Sequence, residues 1–155
     1  MKSLKKMLAG VLAMTMLVGA AASAANSPVK VPTATAQTAT VSNVTVTTTA
    51  KGTATVSKVK TNKKKVTVPT TVEVNGVKYT VTAIAKGTFK GLKKNAVISI
   101  NTKKSLKVAK NTFKGLKTKK VVIKVNKKMS KKQLKAFKKN LKKAGFKGTV
   151  KATLK

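Results

Sequence analysis

Ala85-Lys86-Gly87-Thr88-Phe89-Lys90-Gly91-Leu92-Lys93 returns as Ala109-Lys110-Asn111-Thr112-Phe113-Lys114-Gly115-Leu116-Lys117, with eight identities in nine positions at a spacing of 24. Each copy follows a branched apolar residue, Ile84 or Val108. Each precedes a short run in which apolar residues alternate, Ala96-Val97-Ile98-Ser99-Ile100-Asn101 or Val121-Val122-Ile123-Lys124-Val125-Asn126. A unit of this length cannot close a core of its own, so it has to bury its apolar face against a neighbouring unit. The pattern predicts a short solenoid in which Ile84, Phe89, Leu92, Ile98, Ile100, Val108, Phe113, Leu116, Ile123 and Val125 stack from turn to turn.

Upstream of the repeat the pattern from Thr53 onward is alternation of apolar and polar residues: Val56 and Val59, Val66 and Val68, Val72 and Val74, then Val77, Tyr79 and Val81. Period-two alternation with polar residues between is the mark of strands with one buried face. Asn75-Gly76 separates two such runs and suits the two positive-φ positions of a type I′ hairpin turn. Downstream, Leu134, Phe137, Leu141 and Ala144 fall on one face at three- and four-residue steps, predicting a helix over 131–144. Ser130 with Gln133 resembles a capping box, and Gly145 suits the position just past the helix end. Phe137 stands 24 residues beyond Phe113. The helix is therefore expected to replace the turn of a third, degenerate copy, with a last strand over 148–154.

The chain divides into three parts. Residues 1–24 run from Lys2, Lys5 and Lys6 through an apolar stretch to Ala22-Ser23-Ala24, the pattern of a secretory signal peptide. Residues 25–52 are mostly Ala, Thr and Val with Pro28 and Pro32, and read as an Ala/Thr-rich linker or a weakly ordered strand region. Residues 53–155 form the repeat domain, capped by the hairpin strands at one end and by the helix 131–144 at the other. The fold class expected is thus mainly β with a C-terminal helix.

Charge sets the functional bounds. The chain carries 36 lysines, no arginine and a single acid, Glu73, for a formal charge of +35. Removal of Lys2, Lys5 and Lys6 with a signal peptide would leave 33 lysines against Glu73, a charge near +32. There is no His, Cys, Asp or Trp. A paired-carboxylate hydrolase is excluded, and the side chains that usually serve as general bases, metal ligands or thiol nucleophiles are missing. A Ser/Lys dyad is compatible with the composition, but no local motif supports one. Gly87 to Lys94 and Gly115-Leu116-Lys117-Thr118 both fail the spacing of a phosphate loop. The reading is a non-enzymatic protein with no cofactor and no metal site. It is also without cysteine, so an exported domain of this kind depends on packing alone.

The lysines occupy the positions that the apolar pattern leaves free. Lys93, Lys94, Lys119 and Lys120 follow the turns. Lys103, Lys104, Lys127 and Lys128 follow the strands, and Lys124 lies on a strand exterior. Lys131, Lys132, Lys135, Lys138, Lys139, Lys142 and Lys143 cover the polar side of the helix. These are the candidate polyanion-binding residues, because dense unpaired cations concentrate anions at a surface. The expected partners are anionic polymers or acidic cell-surface components, such as cell-wall polymer, acidic glycan or extracellular nucleic acid. Without arginine for bidentate base contacts, nucleic-acid binding would be non-specific. The alternative is a cationic membrane-active protein acting through the amphipathic helix.

Taken together, Val66-Thr67-Val68-Pro69, the Asn75-Gly76 hairpin leading to Val81-Thr82-Ala83-Ile84, the two Thr-Phe-Lys-Gly-Leu turns and the lysine-rich terminal helix resemble the BspA-like bacterial surface leucine-rich repeats. The resemblance spans about 66–155. It departs from the family pattern in having Thr88 and Thr112 before the turn phenylalanines, where Ala is usual, and in lacking a Cys after them. It implies a short leucine-rich-repeat solenoid of about three turns in a secreted or surface-attached adhesion protein, with host or neighbouring-cell molecules as partners and no catalytic residues. The expected location is extracellular, with non-covalent association to the cell wall and no membrane span in the mature chain.

Overall fold

The computed structural model describes Pro32 and residues 35–155, so the signal-peptide reading of 1–24 lies outside the described residues. The elements run β1 (Thr38–Val41), β2 (Val44–Thr48), β3 (Thr53–Val59), β4 (Lys65–Val68), β5 (Thr71–Val74), β6 (Val77–Ile84), β7 (Val97–Ile100), β8 (Lys107–Val108), β9 (Val122–Asn126), α1 (Lys131–Lys143) and β10 (Thr149–Leu154). They make two sheets. The first has the order β1-β2-β3-β6-β5, with β8 pairing the far half of β6. The second has the order β10-β9-β7-β4, and every pair in it is parallel.

The alternating valines do what a period-two pattern requires. Val44 and Val46 of β2, Val66 and Val68 of β4, and Val72 and Val74 of β5 are all buried, while the residues between them point outward. Asn75 and Gly76 adopt φ of 53° and 76° and close the β5–β6 hairpin in the register Val74↔Val77. Burying each such side chain stabilises by about 1.5–3 kcal/mol.

The architecture corrects the sequence expectation of a leucine-rich-repeat solenoid. The first sheet is mixed, with antiparallel pairing of β1 to β2, β2 to β3 and β5 to β6. The physical reason is that the nine-residue unit occurs only twice, while the Val/Thr alternation upstream carries its own turns and folds back on itself locally. The mainly-β character and the C-terminal helix stand; the single stack of turns does not. Of the stretch read as a linker or a weakly ordered strand region, the part from Thr38 to Thr48 takes the strand alternative. Thr38–Val41 and Val44–Thr48 are strands of the first sheet, and Val44, Val46 and Thr48 are buried. Small β-branched residues sufficed for this, because the partner strand β3 supplies Ala54, Val56 and Val59 to the same core.

The repeat itself is used for an aromatic stack. Phe89 and Phe113 lie with ring centroids 5.0 Å apart and planes 13° apart. The third ring is Phe146 and not Phe137, at 5.1 Å from Phe113 and tilted by 55°. The signal for it was Phe146-Lys147-Gly148, a third Phe-Lys-Gly after those at 89–91 and 113–115. Its spacing of 33 residues hid it, because α1 lies in between. Phe137 is fully buried with Leu141 on the inner face of α1.

Thr88 and Thr112 explain themselves in the same region. Each hydroxyl donates to a carbonyl three residues back, Ala85 at 2.8 Å and Ala109 at 2.7 Å. Each also faces a carbonyl of an earlier segment, Val56 at 2.9 Å for Thr88 and Ala85 at 3.4 Å for Thr112. An alanine there would remove these bonds, although the Val56 carbonyl keeps the Ala85 N–H at 2.8 Å and the Ala109 carbonyl keeps the Thr112 N–H at 3.3 Å. Among the described residues no buried side-chain polar atom lacks a partner.

Candidate polyanion-binding surface

Helix α1 sorts its residues by face. Ser130 caps it, its hydroxyl accepting from the Gln133 backbone N–H at 3.3 Å. The Gln133 side chain turns elsewhere: its Oε1 accepts from the Ser105 N–H at 2.8 Å and ties the helix to the segment before β8. Asn140 adds a second tie, donating to the Leu106 carbonyl at 3.2 Å. With Phe137, Leu141 and Ala144 buried, the lysines at 131, 132, 135, 138, 139, 142 and 143 are all exposed on the outer side. Lys142 and Lys143 sit in the last turn, where cations are favoured by the helix dipole. The helix has no acid in its first turn.

This sorting bears on the membrane alternative. An interfacial helix needs its apolar face free, and here that face is spent in the core, with only Leu134 half exposed. Among the described residues no helix is long and apolar enough to cross a membrane.

The other candidates lie at the ends of the parallel strands. Lys93, Lys94, Lys119 and Lys120 precede β7 and β9, whereas Lys103, Lys104, Lys127 and Lys128 follow them. Of the sixteen candidate lysines, only Lys124 is half buried, on the outward side of β9; the others are exposed. Lys124 apart, the structure divides them into three groups, one at each end of the second sheet and one along α1. At the far end, the sheet is finished by a polar ladder. Asn126 donates to Asn101 Oδ1 at 2.6 Å and accepts from the Lys128 N–H at 2.7 Å, and Asn101 donates to the Lys155 carbonyl at 3.0 Å.

At the near end, Lys117 and Lys147 join the group, and sequence reasoning passed over both. A cleft of about 430 Å³ is lined by Lys94, Lys117, Lys119, Lys120 and Lys147 around Leu116 and Thr118. Lys147 arrives there because its backbone N–H donates to Thr118 Oγ1 at 3.0 Å. A second cleft of about 400 Å³ sets Lys147 beside Lys138 and Lys142.

Carboxylates do not balance these groups. Glu73, the single acid, stands directly across the β5–β6 hairpin from Lys78 and lines a cleft with Lys60, Lys63 and Lys65. Neighbouring exposed cations of one sign repel one another and concentrate anions at the surface. Among the described residues no group of three or more His, Cys, Asp or Glu is placed to hold a metal ion. Comparison of the chain with protein-family models, with curated proteins and with solved structures finds no match.

Proposed function

We propose that this is a secreted, non-enzymatic attachment protein that binds anionic polymers through its lysine surface. The observation that carries the reading is the exposure of almost every candidate lysine in a chain with one acidic side chain. A surface meant only for solubility is served by mixed charges, with acids more effective than bases. Nearly pure positive charge, fixed on a packed β scaffold, instead favours cell-wall polymer, acidic glycan or extracellular nucleic acid as the partner.

The test is charge removal without a change of sequence. Acetylation of lysine abolishes its charge. Protein retained on immobilised heparin, teichoic-acid polymer and DNA at low salt should flow through all three once acetylated. Undiminished retention of the acetylated protein would exclude electrostatic attachment.

A further inference from the structure

Register places one end of the four parallel strands in line. Lys65 pairs with Val97, Val97 with Val122, and Val122 with Thr149. Backbone bonds continue this alignment into the segments that lead to the strands: Val97 N–H to the Lys64 carbonyl at 2.7 Å, Val122 N–H to Ala96 at 3.0 Å, and Thr149 N–H to Val121 at 3.0 Å. Those leading segments carry Lys64, Lys94, Lys119 with Lys120, and Lys147, all exposed. Neighbouring strands are about 4.8 Å apart, so this row extends over about 14 Å across the sheet end.

The row is held from behind. Lys147 is fixed to Thr118 by its backbone N–H, and the next residue, Gly148, packs so tightly on the Val121 and Thr118 carbonyls that it has no room for a side chain. The cleft around Leu116 lies within the row, and Lys147 links it to Lys138 and Lys142 of α1. The lysines come from four separate stretches of chain and converge only through the fold.

We propose that this row is a binding track for a phosphodiester polymer, which rests on the attachment reading above and gives it a place and a ligand chemistry. A row of cations running across the strands matches a linear ligand with charge at every step better than a small anion. Lysine is a compact point charge with rotatable donors that meets phosphate oxygens at many angles, as a linear polymer presents them; the fork that gives bidentate recognition of carboxylate or phosphate belongs to arginine, which this chain lacks.

The experiment compares two variants that each lose four charges. One carries Lys94→Gln, Lys119→Gln, Lys120→Gln and Lys147→Gln; the other carries Lys103→Gln, Lys104→Gln, Lys127→Gln and Lys128→Gln at the opposite strand ends. The probe is an abasic deoxyribose-phosphate oligomer, which presents phosphodiesters and no bases, and heparin of similar charge is the parallel probe. The track variant is expected to bind the oligomer at least tenfold more weakly than the control variant. Its dependence of log K on log salt should flatten by about 3, at about 0.7 per phosphate contact on a single strand.

Equal losses in the two variants would overturn the track and leave diffuse electrostatic attachment standing. Binding of the unaltered protein to heparin but not to the oligomer at low salt would overturn the phosphodiester assignment, and failure to bind either would remove both proposals. The same preference on heparin would overturn the phosphodiester assignment. Should the track variant melt early, the single changes Lys147→Gln and Lys128→Gln carry the same comparison.

Discussion

Gly148 packs against Val121 at a distance that excludes any side chain: a Cβ there would overlap the Val121 carbonyl oxygen, and would stand 2.5 Å from that of Thr118 and 2.7 Å from the Phe146 ring. Two of these neighbours are backbone and cannot rotate away. Gly148→Ala is therefore expected to push the start of β10 off β9 and destabilise the protein by about 1–3 kcal/mol, the usual range for overpacking. Urea unfolding measures the loss, and faster amide exchange at Thr149 locates it. Unchanged stability would mean that β10 docks differently.

The aromatic stack makes a second expectation. Phe113 meets Phe89 on one side and Phe146 on the other. Phe113→Ala should cost about 3–5 kcal/mol, as for other buried phenylalanines. A double-mutant cycle with Phe146→Ala should return a coupling of about 0.5–1.5 kcal/mol, the range for aromatic pairs. Additive losses would deny the contact.

Thr88 supplies the third. Its hydroxyl lies 2.9 Å from the Val56 carbonyl and 2.8 Å from that of Ala85. Thr88→Val keeps the shape and removes the donor, and is expected to cost about 0.5–1.5 kcal/mol, since the Val56 carbonyl retains the Ala85 N–H at 2.8 Å. Thr112→Val should cost less, since its second acceptor stands at 3.4 Å. Thermal or urea denaturation of the two variants side by side checks the order.

Local signals in the sequence translated directly into structure. Asn75-Gly76 forms its hairpin, Ser130 caps α1, and the apolar positions of α1 turn inward, because each of these depends on neighbours a few residues away. What failed was extrapolation from them. Two copies of a nine-residue unit implied a third at the same spacing, and Phe137 met that spacing while Phe146 met the contact. An insertion such as α1 alters spacing without altering which rings meet, so periodicity could not choose between them.

The same limit applies to the site. Exposure of the lysines follows from the apolar pattern, but their grouping follows from strand register, which no local motif encodes. Lys147 was missed for that reason. Its neighbours in the cleft, Lys94 and Lys120, are 53 and 27 residues away in sequence. Residues 38–48 carry no large apolar side chain, and their strands hold because β3 completes their core.

The dependence of affinity on salt tests the attachment reading most directly. Log K for the protein on a single-stranded phosphodiester polymer should fall linearly with log salt between about 50 and 200 mM, with a slope of about −3 or steeper if four or more lysines each engage a phosphate. Affinity that holds constant across that range would contradict a charge-driven attachment, whatever the polymer.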